Sequence, residues 1–246
     1  MLNLKKMAIV FLFSATTFLS IPLNAQASTT SVSNLTQLKK VIVSDLTARK
    51  SEFVINYTGD TSNFNADLSN VLTTAEDSND YLKFSMSSLS CSASGTDGNL
   101  DIDVNATYLT TARQEAYVNT VVNRTLGSII TPGMTDFQKE KVIHAWILKT
   151  VSYDFTLINH SAYAGLVTPH KTVCQGYALL MYKMLTQAGI TTRIVSGTLN
   201  GESHAWNKVY IDGNWYNVDA TNDDGVNTTR FYNVSDSVLI QHGFAW

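Results

Sequence analysis

The sequence is poor in cysteine, proline and charge. It holds only 2 Cys in 246 residues, which excludes a disulfide-stapled scaffold and a four-cysteine zinc site. Charged residues make up 15% of the chain and the net charge is −3, a balance that argues against a dedicated nucleic-acid binder. With 3 Pro and 13 Gly there is no low-complexity tract, and no internal repeat is visible. What is abundant is apolar surface. At 44% hydrophobic residues the chain is not intrinsically disordered, and its length suits one large or two small domains with a sizeable core.

Long apolar runs are scarce too. Residues 7–21 form the one such run, preceded by Lys5 and Lys6 and followed by Ala25-Gln26-Ala27. A basic start, a short apolar stretch and a small-x-small site are the marks of a cleaved secretory signal, here residues 1–27. The alternative is an uncleaved N-terminal anchor, for which the run is short, since a bilayer span needs roughly 20 residues. No second segment is apolar enough to span. The expectation is an exported protein, secreted or at the cell surface, with no membrane contact after cleavage. An exported chain could pair Cys91 with Cys174, but Cys174 lies in a motif that needs a free thiol.

The remainder divides at Pro132-Gly133 into an N-terminal α+β region of unknown role, residues 28–130, and a C-terminal domain, residues 131–246. Leu35, Leu38, Ile42 and Leu46 predict a helix over 35–50. Residues 53–57 read as a strand. The Thr, Ser, Asn and Asp of 58–80 read mostly as loop with a short helix at most. Strands over 81–90 and 100–108 flank turn residues 94–98, so a hairpin is expected, and 112–126 reads as a helix. After the boundary, Thr135 and Gln138 have capping-box spacing and open a helix that ends near Val151. Residues 156–172 look irregular.

The chemistry lies beyond them. Val173-Cys174-Gln175-Gly176-Tyr177-Ala178 opens a helix whose apolar face is Tyr177, Leu180, Met181, Met184, Leu185 and Ala188, with Gly189 at the C′ position. Cys174 therefore falls at a helix N-terminus, where the dipole and unpaired N–H groups favour a thiolate. Its own N–H could meet a developing oxyanion, and Gly176 leaves room near the sulfur. Further on, residues 204–211 read as a strand, Asp212-Gly213 as a two-residue turn and 214–219 as the return strand. In that register Trp206 faces Asp219 and His204 faces Thr221, so all four share one face and Asp219 is the diagonal neighbour of His204. Each residue alone has a bland reading: a buried thiol, a satisfied histidine, a strand-end aspartate. Together they make a Cys-His-Asp arrangement, with His204 as base and then acid and Asp219 orienting it.

These motifs, with Tyr153-Asp154, Gly189-Ile190, Ser196-Gly197 and the run from Asp212-Gly213-Asn214-Trp215-Tyr216 to Val218-Asp219-Ala220-Thr221, resemble the transglutaminase-like superfamily, a branch of the papain-type cysteine enzymes. The resemblance covers roughly residues 135–245. It implies an α+β fold with a Cys-bearing helix packed on an antiparallel sheet, and Cys174, His204 and Asp219 as the triad. It also implies thiolate attack on an amide carbonyl to give a thioester, then transfer to an amine or to water. The match is to small exported bacterial members. No EF-hand-like loop or paired zinc cysteines accompany it, so no cofactor or metal is implied. Tyr153, Gln175 and Trp206 are candidates for a second oxyanion donor or the pocket lining. Gln175 follows the cysteine, and so is not equated with the glutamine that precedes the papain nucleophile. His144, His160, His170 and His242 lack metal-ligand spacing. The expected partners are protein or peptide substrates, among them cell-wall or surface proteins, and not nucleic acid. The competing readings are a cysteine peptidase and a non-catalytic peptide or cell-wall binding module on the same fold.

Overall fold

The computed structural model describes residues 8–9, 30–226 and 229–246. The expected signal segment, residues 1–27, lies outside the described residues apart from Ala8–Ile9. The fold is mixed α+β and forms two compact units, one ending at Tyr108 and the other beginning at Leu109.

In the first unit, strands β1 (Ala8–Ile9), β2 (Thr30–Val32), β3 (Glu52–Tyr57), β4 (Met86–Thr96) and β5 (Asn99–Tyr108) form a sheet of order β1-β4-β5-β3-β2. Helices α1 (Leu35–Thr47), α2 (Phe64–Glu76) and α3 (Asp80–Ser85) belong to the same unit. Asn34 caps α1 by accepting the Gln37 N–H. The polar stretch 58–80 is not mainly loop. It holds the 13-residue α2, because Phe64, Leu68, Val71, Leu72 and Ala75 form a buried helical stripe among the Ser, Thr and Asn. Nor is 81–90 one strand. Asn79 accepts the Leu82 N–H and starts α3, which delays the strand to Met86. The β4–β5 hairpin turns at Asp97-Gly98, with Thr96 paired to Asn99. Its inward residues Leu89, Cys91, Leu100, Ile102, Val104 and Ala106 join the core of this unit.

The second unit contains α4 (Ala112–Ile129), α5 (Asp136–Thr150), β6 (Ser152–Tyr153), α6 (Ala162–Leu166), β7 (Lys171–Thr172), α7 (Cys174–Gln187), β8 (Thr191–Leu199), β9 (Glu202–Ile211), β10 (Asn214–Val218), α8 (Ala220–Val226), α9 (Asp236–Gln241) and β11 (Phe244–Ala245). The division precedes Pro132-Gly133 because α4 buries Val118, Val122 and Leu126 and packs on α6 and α7, so it belongs with the second unit. The Thr135–Gln138 capping box forms at the start of α5. An antiparallel sheet of order β10-β9-β8-β11 carries α7 on β8 and β9. Leu180, Met181, Met184 and Leu185 on α7 are fully buried, each contributing roughly 1.5–3 kcal/mol by leaving water. Gly189, at φ 87°, ends the helix in the left-handed conformation that suits glycine.

Candidate active site

Two local devices set the site. The first is the start of α7. Its N-cap residue is Val173, whose side chain makes no capping hydrogen bond. The Cys174 N–H stands at N1, ahead of the first turn, in which the Gly176 and Tyr177 N–H groups both donate to Val173 O. The helix starts tightly against the preceding chain. Asn159 O accepts the Val173 N–H at 2.8 Å and the Thr172 hydroxyl at 2.9 Å. Gly176 does not leave room beside the sulfur, as its sequence position implies. A Cβ there would stand 1.8 Å from Thr172 Oγ1 and 2.8 Å from Ser161 O, so the glycine lets β7 and α6 close onto the helix.

The second device is the β9–β10 hairpin. Asp212 at φ 49° and Gly213 at φ 81° make the two-residue turn. Asn214 pairs with Ile211 and Val218 with Asn207, the register read from the sequence. The strand stops one residue early, however. Asp219 is the first residue beyond β10 and Thr221 is helical rather than a cross-strand partner of His204. The cause is Asp219 itself. Its Oδ1 accepts the N–H groups of Thr221 at 3.1 Å and Asn222 at 3.2 Å, which starts α8.

That leaves Asp219 Oδ2 to accept from His204 Nε2 at 2.7 Å, both side chains being buried. Cys174 is close enough to the imidazole to favour its protonated form. Burial opposes charging His204. The Asp219 hydrogen bond, the Cys174 contact and the charges of both outweigh it and raise the imidazole from 6.5 to about 10. The arrangement holds a positively charged imidazole between an acid and a thiol near neutral pH. Behind the ring, Trp206 stacks on His204 at 6.0 Å and Phe244 meets it edge-on at 5.7 Å.

Among the pocket candidates the outcomes differ. Tyr153 lines the cleft beside Cys174, and its hydroxyl is raised by burial and then by Cys174, Glu202 and Asp154. Gln175 meets Nδ1 of His160, a ring that borders the cleft, at 3.2 Å. Trp206 does not line the cleft. It is buried in an aromatic core with Phe231 and Phe244, its indole N–H donating to Asn217 Oδ1 at 3.0 Å. Sequence reading missed Asn222, whose Nδ2 donates to Asp219 Oδ2 and lies 3.2 Å from His204 Nε2. An Asx residue at the start of a helix was the available signal. Asp154, quoted in the Tyr153-Asp154 motif without a role, is held below the usual carboxylate range by hydrogen bonds from Thr156 and Asn159, against an opposing burial effect. His144, read as structural, faces Asp223 of α8 with Nε2 3.1 Å from Oδ2, though the two are not aligned as a hydrogen bond. Asp223 Oδ1 accepts the Phe231 N–H, and Phe231 O accepts the Asp219 N–H. This loop ties α8 behind the candidate acid.

The cleft has two lobes. One, about 480 Å³, is lined by His204, Asn222, Thr221, Asn200, Leu199 and Phe155. The other, about 360 Å³, is lined by Leu157, His160 and Val173. Tyr153, Cys174, Glu202 and Ser203 border both, so the lobes meet at the thiol. Both thiols of the chain, Cys91 and Cys174, are free. Among the described residues no cluster of three or more His, Cys, Asp or Glu could hold a metal ion, and no helix is long and apolar enough to cross a membrane.

Residues 123–220 match the model of the transglutaminase-like superfamily. Kyphoscoliosis peptidase of Mus musculus is 28% identical over 139 residues, which are 49% of this chain and 21% of that protein. Its Homo sapiens counterpart is 29% identical over 113 residues, 39% of this chain and 17% of that protein. The chain thus spans about a fifth of the length of these relatives. A solved TGase overlaps 69% of this chain and 51% of its own, at 16% identity and a TM-score of 0.36. A candidate cysteine protease from Cytophaga hutchinsonii overlaps 61% and 57%, at 19% identity and a TM-score of 0.35.

Proposed function

Since the chain carries a transglutaminase-like domain over residues 123–220, we propose that it is an exported cysteine acyl-transfer enzyme acting on amide carbonyls of proteins or peptides. The observation that carries this reading is that Cys174, at a helix N-terminus, shares a cleft with His204, which is hydrogen-bonded to Asp219. Cys174 Sγ, as thiolate, attacks the carbonyl carbon. The carbonyl oxygen takes up charge near the Cys174 N–H, with the Tyr153 hydroxyl as a second candidate donor. The C–N bond breaks as the imidazolium of His204 passes its proton to the leaving nitrogen, and a thioester remains on Cys174. An amine or a water then gives a proton to His204, attacks the thioester and releases the thiolate. Asp219 holds the ring in register throughout, and Asn222 holds Asp219. The exported setting rests on residues 1–27, and surface or wall proteins are the substrates this location would offer.

Amine as acceptor means crosslinking, and water means deamidation or peptide hydrolysis. The mammalian relatives are named peptidases, which favours water. The test compares the protein lacking residues 1–27 with its Cys174→Ala variant, on a glutamine-rich protein and a tagged primary amine under mild reduction. Mass spectrometry reads the products. A Cys174-dependent tag means transamidation, Gln converted to Glu means deamidation, and new chain ends mean proteolysis. Identical spectra from the two proteins, together with a Cys174 inert to iodoacetamide, would overturn the enzyme reading in favour of a binding module.

A further inference from the structure

We infer that the lobe bounded by Leu157, His160 and Val173 is the acyl-side subsite of the cleft, and that it selects an apolar side chain adjacent to the carbonyl Cys174 attacks. This deepens the function proposed above and rests on it.

The direction comes from the proton. As the C–N bond breaks, the leaving nitrogen must take its proton from the imidazole. His204 borders one lobe only, with Asn222, Thr221 and Asn200. The leaving group therefore departs through that lobe, and the acyl portion occupies the other. Tyr153, Glu202 and Ser203 border both and do not distinguish them.

The chemistry of the acyl lobe comes from Leu157 and Val173, and Leu157 is unusual. Its backbone sits at φ 58°, a left-handed conformation that a leucine adopts only when its surroundings impose it. Those surroundings are plain. The Leu157 N–H donates to Asp154 O at 3.0 Å. Its carbonyl accepts from His160 Nε2 at 3.1 Å, and the other nitrogen of that ring meets Gln175, the neighbour of the nucleophile, at 3.2 Å. The buried Asp154 carboxylate gathers the N–H and side chain of both Thr156 and Asn159. All this framing does not place Leu157 in a core. The residue stays 53% exposed, between Phe155 at 86% and Ile158 at 75%. A braced, strained turn that holds carbon in water at the mouth of a reactive cleft is the arrangement expected of a substrate platform. Glu202, which borders the same lobe, disfavours an acidic side chain there.

The test uses covalent probes on the protein lacking residues 1–27: acetyl-leucyl, acetyl-glycyl and acetyl-aspartyl chloromethyl ketones, with iodoacetamide as a probe without a side chain. Labelling of Cys174 is followed by mass spectrometry. The leucyl probe should react at least about tenfold faster than the glycyl probe, and the aspartyl probe slowest. In Leu157→Gly and Leu157→Asn, two residues that tolerate the left-handed conformation, the leucyl-to-glycyl ratio should fall toward one. A ratio near one in the unaltered protein, or one unchanged in both variants, overturns the subsite while iodoacetamide labelling leaves the nucleophile standing. No labelling of Cys174 by any probe in the folded protein, with labelling after denaturation, overturns the nucleophile and the subsite together.

Discussion

The two cysteines lie in different units and are almost equally hidden, at 3% and 5% exposure, yet their surroundings have nothing else in common. Cys91 sits mid-strand in β4 among Leu89, Val104 and Ala106. Its thiol donates to Ser92 O at 4.0 Å, and burial, with a smaller push from Asp103, raises it to about 12. Cys174 begins a helix, acts on the His204 imidazole and borders both lobes of a cleft. Burial alone therefore makes a thiol inert. What makes one serviceable is a partner that can hold its proton and an opening beside it.

The sharpest way to break this contrast is to remove each thiol in turn. Cys174→Ala should lower product formation on the order of 10⁴-fold or more. Cys91→Ser should leave turnover in place and cost about 1–3 kcal/mol of stability in denaturant melts, from a hydroxyl placed in an apolar core. Loss of turnover in the Cys91 variant would reverse the assignment.

Next comes the partner. Asp219→Ala should reduce kcat by about 10²–10⁴-fold. The sign of its pH effect follows from His204. An imidazole raised from 6.5 to about 10 adds stability that is fully present below pH 6.5 and is lost as the pH rises through about 10. Without Asp219 only the Cys174 contact opposes burial, and the ring falls back toward its ordinary value. The basic limb of kcat should move down with it, and the stability gap between the two proteins should close in melts above pH 10.

A direct comparison of the thiols should give a smaller but clean effect. At neutral pH, iodoacetamide should label Cys174 at least about a hundredfold faster than Cys91, measured by peptide mass spectrometry on the folded protein. Smaller again is Gly176→Ala, whose added carbon meets Thr172 Oγ1 and Ser161 O. It should cost about 1–3 kcal/mol, read as a lower Tm. Smallest is Leu157→Gly. Relief of a left-handed penalty of about 1–2 kcal/mol offsets the added chain entropy of glycine, about 0.5–1 kcal/mol. Stability should change by less than about 1 kcal/mol even as probe selectivity changes.

Much of this was legible in residue order, for identifiable reasons. Asp212-Gly213 has the chemistry of one turn type, so the β9–β10 register followed without any tertiary information. The apolar repeat on α7 and Gly189 after it located a helix with Cys174 at its start. Other features were not legible. Helix α2 hid in polar composition, since only its buried stripe is apolar. The exit from β10 one residue early depended on a choice by Asp219 between pairing as a strand residue and capping a helix, and local sequence permits both.

The sequence by itself determined which groups could do the chemistry and the local frame of each: a thiol at a helix end, an imidazole and a carboxylate on one hairpin. These are short-range matters of turn type and periodicity. Only the tertiary structure decided that the hairpin and the helix meet, that Trp206 is buried in an aromatic core while Tyr153 borders the cleft, and that a strained Leu157 stands at its mouth. Those outcomes depend on how side chains far apart in the chain compete for the same space and the same hydrogen-bond partners, and no single segment carries that competition in its own residues.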